Sequence, residues 1–574
     1  MKGLFMSDLK LKIKDGFKDF RKMLNDPILM VTIIFSIVVV AFFILVPLYN
    51  VFLESIKVDE SFSITNYIDS FKNSGNLQII LNTLILGFTT GFISLIIGFI
   101  FAYLTVYIKI RGKAVFDFIA LLPIISPPFI VALSTILLFG RTGLITRGLL
   151  GIEYEIYGFH GLVLVQVLSF FPIAYMMLVG LLNNIDPSVE EASRSLGANR
   201  FKVFTTITLP LMMPGLANAF LLVFIQSIAD YANPFVIGGK FTTIAVKIFQ
   251  EGIGNYQLGL ASALSMILLT ISISMFTLQR YYINSKSYIT VTGKASRARE
   301  LIDTKFATIT SSLILITLSI CVIGMYILIP ISSFTKLFGI DNSLSLYNYR
   351  EIFRYANRIN PIITTTTLSI IATFIASIFS MIIAFLIVRK KFLGKTFIEF
   401  TVMMGLAIPG TIIGIGYALS YNKIYNIPFT NIILVPTLTG TGFIIIMAFI
   451  IRSLPVGVRS GMAALNQIDP SIEEASTILG ANTLQTFTKI TLPMVREAFL
   501  SGLIYSFARA MTLVSTVIFL ISAKWKLLTP TIMDNVDQGR IGIAAAYCTI
   551  LIVIVSLFMI LMKLFIRLLE PKNK

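Results

Sequence analysis

Apolar residues fall in long blocks separated by short polar stretches. The blocks lie at roughly 28–53, 78–108, 115–140, 157–182, 211–238, 258–279, 307–333, 362–388, 396–420, 431–452, 497–522 and 541–566. Each is long enough to cross ~30 Å of hydrocarbon as a helix. Lipid leaves no backbone group unpaired, and blocks of this length exceed barrel strands. The pattern therefore predicts an all-α membrane protein of about twelve transmembrane helices. The first block is not read as a cleaved signal, because its leader is long and its apolar stretch exceeds the ~7–15 residues of a signal core.

Composition narrows the class. Of 574 residues, 56% are hydrophobic and 13% charged, about half the charged share of a soluble domain. A soluble enzyme, a disordered scaffold and a disulfide-rich secreted domain are excluded. The single His160 and the two cysteines, Cys321 and Cys548, offer neither a disulfide framework nor a metal cage. The net charge of +18 fits basic cytoplasmic loops rather than nucleic-acid binding. Lys2 to Lys22, Lys109–Lys113, Arg280–Lys305 and Arg389–Lys395 all fall on one side if twelve spans are counted. That side is expected to be cytoplasmic, with both termini on it. Loop 334–361, with Lys336, Arg350, Arg354 and Arg358, dissents and is read as a small external subdomain.

A duplication organises the chain. Residues 185–210 (IDPSVEEASRSLGANRFKVFTTITLP) and 468–493 (IDPSIEEASTILGANTLQTFTKITLP) share 18 of 26 positions at an offset of 283. Pro172 pairs with Pro455 at the same offset. Lys113, Asp117 and Pro127 pair with Lys395, Glu399 and Pro409 at 282. The expected domains are a first half, 1–285, and a second half, 286–574, with six helices each. An even number of crossings gives both halves the same orientation, a parallel repeat.

Each repeated segment lies between the fourth and fifth helices of its half and reads as a helix–turn–helix elbow. Asp186 suits an N-cap and Pro187 the first helical position. Gly197 suits a left-handed helix end. Asn199 caps a second short helix that Pro210 is expected to stop. Asp469, Pro470, Gly480, Asn482 and Pro493 repeat the scheme. A lipid-facing elbow needs only an amphipathic pattern, whereas retention of individual residues in both copies points to a protein partner.

The pattern EAxxxLGAxxxxxFxxITLP resembles the EAA loop of binding-protein-dependent ABC importer permeases. Ser193 and Ser476 replace the second Ala. The resemblance implies a type I importer-like permease fold. It also implies coupling helices that seat in two copies of a cytoplasmic ATPase subunit, through Glu191, Ala192, Gly197 and Pro210, and Glu474, Ala475, Gly480 and Pro493. Fusion of two permeases in one chain is similar to the ferric-iron importer family, with thiamine and aminoethylphosphonate permeases as relatives. ADYANPFVIGG (229–239) and FARAMTLVSTVIFL (507–520) resemble its fifth-helix sequences. A periplasmic or lipid-anchored binding protein would deliver the solute across a bacterial inner membrane. ATP and Mg would sit on the partner subunits, and this chain would bind no cofactor.

The chain itself lacks a P-loop. Gly394-Lys395-Thr396 has Arg389 where the first glycine should be, and Gly293-Lys294 is followed by Ala295. Asp230 in the fifth helix and Arg509 in the eleventh are charges within apolar runs, where a charge faces a cavity or a partner. With Gln226 and Asn233 beside Asp230, they are the pathway or gate candidates, the alternative being an ion pair between the halves. Asp117 and Glu399 read as helix-end caps or loop pairs. His160 reads as structural, and the dispersed methionines as packing. A twelve-helix secondary transporter is the competing reading, but it leaves the duplicated elbow without a role. A channel or scaffold is a third class.

Overall fold

The computed structural model describes residues 27–58, 61–127, 129–283, 299–426 and 433–569. The basic leader, Lys286, Lys294, Arg297 and the boundary between the expected halves lie outside the described residues. Ten described helices are long and apolar enough to span a bilayer. They are Pro27–Ser55, Ser74–Tyr107, Phe129–Leu149, Phe159–Asn184, Arg200–Ile228, Leu258–Tyr281, Lys305–Ser333, Ala356–Arg389, Gly442–Leu465 and Ile541–Phe565. The described strands form only two-stranded pairs.

Several predicted runs are broken or displaced. Run 115–140 is two helices, Lys113–Ile125 and Phe129–Phe139, and run 396–420 is Lys395–Met404 and Gly410–Tyr421. Both breaks contain a proline, Pro127 or Pro409, which lacks an N–H and biases the preceding residue to extended backbone. Run 211–238 ends its main helix at Ile228 and restarts as Ala232–Ile237, and run 497–522 is helical only over Arg496–Thr512 before a short turn at Val517–Phe519. Run 431–452 is corrected to Gly442–Leu465. Its apolar start holds the strand Ile433–Val435, then Pro436 and Gly440, the latter at φ 75°. The helix begins only where Thr441 caps it, accepting from the Ile444 N–H.

Contacts divide the chain into two compact units. One comprises Glu54–Asn360 and Leu528–Ile552; the other comprises Met1–Leu53, Pro361–Leu527 and Val553–Lys574. The expected halves divide the sequence; these units divide the contacts, and the two divisions differ.

In the first unit, Ser74–Tyr107 packs closely on Phe159–Asn184 and Arg200–Ile228. Glycines allow the approach. A Cβ on Gly98 would lie 2.8 Å from the Ala174 Cβ, and one on Gly87 2.7 Å from Ile228. Membrane helices associate by such small-residue contacts, because burial from lipid adds no hydrophobic drive. Two basic residues of the dissenting loop 334–361 are neutralised locally: Lys336 lies 3.6 Å from Asp341, and Arg358 pairs with Glu351.

In the second unit the glycines sit on the fourth helix of the repeat instead. Gly457 and Gly461 of Gly442–Leu465 face Ser380 and Ala384 of Ala356–Arg389. The helix Pro27–Ser55 also belongs here over most of its length. It contains a π-helical turn, Ala41–Leu45, which frees carbonyls from the regular ladder. The hydroxyls of Tyr417 and Tyr421 donate to the Phe43 and Phe42 carbonyls. Gly416 lets the two backbones meet at Pro47, and the Asn50 amide donates to Ser420 Oγ at 2.9 Å.

Candidate functional site

Both elbows form, and their local chemistry is the expected one. In elbow one the helix Pro187–Ser195 starts at Asp186, whose carboxylate accepts from the Ser188 N–H. Gly197 turns the chain at φ 88°, with open space where a Cβ would point, so the backbone conformation alone requires glycine. Asn199 accepts from the Lys202 N–H and starts the next helix. In elbow two Asp469 accepts from the Ser471 N–H, which holds its carboxyl below the usual range. Gly480 turns at φ 87°, and Asn482 and Gln485 form a reciprocal capping box.

Pro210 does not stop the second elbow helix. That helix runs from Arg200 to Ile228 as one span. A π-helical turn, Phe204–Thr208, directly precedes Pro210, and its wider ladder accommodates the missing N–H and the ring. Elbow two has the same device, a π-helical turn at Phe487–Thr491 before Pro493. Here the chain turns again at Val495 before Arg496–Thr512. In each repeat the elbow's second helix leads into the fifth membrane helix.

Of the expected coupling residues, Ala192, Gly197 and Pro210 are exposed and Glu191 is half-buried; Glu474, Ala475, Gly480 and Pro493 are exposed. The turn itself presents bare apolar side chains. Leu196 and Leu479 are 90% and 87% exposed, and Phe201, Ile478 and Leu484 stand beside them.

The glutamate that precedes each expected coupling glutamate has a different role. Glu190 is buried. Its Oε1 accepts from the Tyr107 hydroxyl at 2.6 Å and the Thr208 hydroxyl at 2.7 Å, and Arg299 Nε lies 3.6 Å from Oε2. Glu473 accepts from Arg389 Nε and the Thr491 hydroxyl, both at 3.1 Å. Arg389 also donates to the Leu465 and Ile468 carbonyls at 2.8 Å. These anchors fix each elbow helix to the end of the fourth helix and the start of the fifth. The signal for Glu190, Thr208, Glu473 and Thr491 was present in the identical repeat positions. Tyr107, Arg299 and Arg389 lie outside the two near-identical segments 185–210 and 468–493 and gave none.

The pathway candidates are less uniform. Asp230 sits in the break after Ile228, not within the helix, and is buried. It caps Ala232–Ile237, accepting from the N–H groups of Ala232 and Asn233 at 3.1 and 3.4 Å. The side-chain amides of Gln166 and Asn233 donate to its other oxygen at 3.0 and 2.8 Å. Gln226 is half-buried in the preceding turn. Arg509 lies in the last turn of Arg496–Thr512, and its buried Nε has no hydrogen-bond partner among the described residues. Arg452, which sequence reading missed, donates to the Gly405 and Ile408 carbonyls in the break of run 396–420. Asp117 accepts from the Tyr175 hydroxyl. Among the described residues no group of three or more His, Cys, Asp or Glu is placed to hold a metal.

Comparison with known proteins agrees with the duplication. The family model of the binding-protein-dependent transport system inner membrane component matches residues 94–288 and again 364–574. A ferric transport system permease protein of Actinobacillus pleuropneumoniae is 37% identical over 555 residues, covering 94% of this chain and 78% of the relative. An Fe(3+)-transport system permease protein of Haemophilus influenzae is 23% identical over 83% of this chain and 87% of its own length. A molybdenum transport system permease protein of Escherichia coli is 36% identical over 24% of this chain and 61% of its own. Two matched segments, each carrying one elbow and together covering most of the sequence, mean that this chain is an integral membrane permease of the binding-protein-dependent transport system inner membrane component family.

Proposed function

We propose that the chain forms the translocation pathway of an ATP-driven importer of ferric iron. Each elbow seats on one copy of a cytoplasmic ATPase subunit, and a separate binding protein delivers the solute from outside. The halves 1–285 and 286–574 work as the two permease domains, with both termini in the cytoplasm. ATP and Mg bind the partner subunits. The observation that carries the reading is the pair of elbows: each has a hydrogen-bonded glutamate on its inner side, Glu190 buried and Glu473 half-buried, and bare apolar residues at its turn. A firmly anchored lever with an apolar tip can transmit a push from a subunit that closes on ATP. The cargo assignment is supported by the ferric relatives that align over most of this chain.

The test is uptake of radioactive iron by cells that express the chain with its neighbouring genes. Changing Glu191 and Glu474 together to Lys, or Gly480 to Val, is expected to lower uptake about tenfold or more, with insertion unchanged. A soluble ATPase is expected to co-purify with the wild-type chain and to be lost from the double variant. Normal uptake with both glutamates reversed would sink the coupling role. Uptake of molybdate or thiamine in place of iron would overturn the cargo assignment alone.

A further inference from the structure

The two elbows are anchored by equivalent glutamates but by arginines from different places. At the offset of 282 that relates Lys113 to Lys395, the position equivalent to Arg389 is Tyr107. Elbow two therefore takes its arginine from the end of its own second helix, Ala356–Arg389. Elbow one has a tyrosine there, and its arginine, Arg299, comes from the segment joining the two repeats.

The described end of that segment, residues 299–303, is bound to the end of the second helix and to the base of the elbow by several independent contacts. The Ile302 N–H donates to the Tyr107 carbonyl at 2.9 Å, and the Lys109 N–H to the Ile302 carbonyl at 3.1 Å, forming a short parallel bridge. Ile302 packs on the apolar core of this unit. The Arg299 guanidinium lies 4.1 Å from the centre of the Tyr107 ring, a cation–π stack. Its Nη2 donates to the Ile185 carbonyl at 3.2 Å. Ile185 is the repeat equivalent of Ile468, whose carbonyl Arg389 holds in elbow two. Arg299 thus faces the same two groups as Arg389: it donates to the carbonyl after the fourth helix and pairs with the elbow glutamate, at 3.6 Å as an ion pair where Arg389 makes a 3.1 Å hydrogen bond.

We propose that Arg299 is the positioning arginine of the first elbow, so that the stretch 299–303 is a working part of that elbow. Tyr107 supplies the hydroxyl for Glu190 and the platform for the guanidinium. Without Arg299, Glu190 is a buried carboxylate with hydroxyl donors only, and the elbow helix loses its tie to the Ile185 carbonyl. Elbow two takes its arginine, Arg389, from its own repeat. The structural part of the proposal stands alone; its effect on transport rests on the coupling role of the elbows.

Hydrogen exchange on the full-length protein in lipid nanodiscs tests the structural part. In R299A, amides of 187–196 are expected to exchange at least tenfold faster, while those of 471–478 stay at the wild-type rate and serve as an internal control. R299K is expected to retain partial protection. The decisive variant is Y107R combined with R299A, which gives elbow one the arrangement of elbow two and is expected to restore protection. Iron uptake measured in the same variants is expected to fall at least tenfold in R299A and to recover in the double variant. Wild-type exchange of 187–196 in R299A, or no recovery with Y107R, overturns the proposal. Loss and recovery of protection with uptake unmoved would support the anchor and refute the coupling role of elbow one.

Discussion

The fifth membrane helix breaks in both repeats, and the two breaks are built differently. After Ile228 a carboxylate fills the gap, and neutral groups of its own unit satisfy it completely. Gln166, which donates to it, is itself held by Thr90 and Ser227. Near Thr512 the charge is a guanidinium whose buried Nε has no hydrogen-bond partner among the described residues, and the nearby helix Gly442–Leu465 adds Arg452, whose Nε is also unpartnered. The first break is finished as structure. The second holds two guanidinium groups, each with a buried Nε that no hydrogen bond uses. Asp230 and Arg509, both expected from sequence at the pathway, therefore differ in their surroundings: Asp230 is a buried cap with four donors, and Arg509 keeps a buried Nε without a hydrogen bond.

The largest expected effect is on stability at the first break. Asp230→Ala removes the acceptor for two amides and two N–H groups in a buried site, where each orphaned group costs ~1–3 kcal/mol. Thermal unfolding in detergent should show a loss of about 3 kcal/mol or more. A fully stable Asp230→Ala protein that fails to transport would break the comparison by making Asp230 functional. At the second break the order should invert. Arg509→Gln leaves no hydrogen-bonded partner behind, so stability should change by less than ~1 kcal/mol, while iron uptake falls severalfold. Equal losses of folding and uptake would make Arg509 structural as well.

The smallest effect separates burial from capping. Asp469 caps a short helix as Asp230 does, but in water, and its carboxyl is held low by the Ser471 N–H. A depressed folded value means that its contribution is present above the unfolded value and is lost as pH falls through the folded one. Protection of the 471–478 amides, measured against their intrinsic exchange rates at each pH, should therefore fall on acidification below about pH 4, and Asp469→Asn should flatten that dependence. An unchanged profile in Asp469→Asn would assign the acid sensitivity to another group.

The elbows were legible because their devices are local. Asp186, Gly197 and Asn199 act within three or four residues, and repetition singled them out. The direct continuation of the elbow into the membrane helix was not legible, because Pro210 signals a stop unless the preceding turn widens, and that widening leaves no mark in the sequence. Run 431–452 misled for another reason: an apolar stretch before Pro436 looks the same to hydropathy whether it is strand or helix. The arginine anchors were hidden because Glu190 and Arg299 are 109 residues apart in the chain, and no local rule joins them.

The bond from Asn50 to Ser420 has a consequence for how the protein is made. The two residues are 370 apart in sequence, so at a synthesis rate of ~5–20 residues per second the first helix waits roughly 20–75 s for this partner. During that interval the carbonyls of Phe42 and Phe43 lack the hydroxyls of Tyr421 and Tyr417. The newly inserted helix must dwell in lipid with its π-helical turn unsupported, or hold a regular ladder there until the ninth apolar run arrives. A ribosome that stalls before Tyr417 leaves the first span with only its earlier contacts, such as Phe35 on Phe379, and without the hydroxyls that hold its π-helical turn.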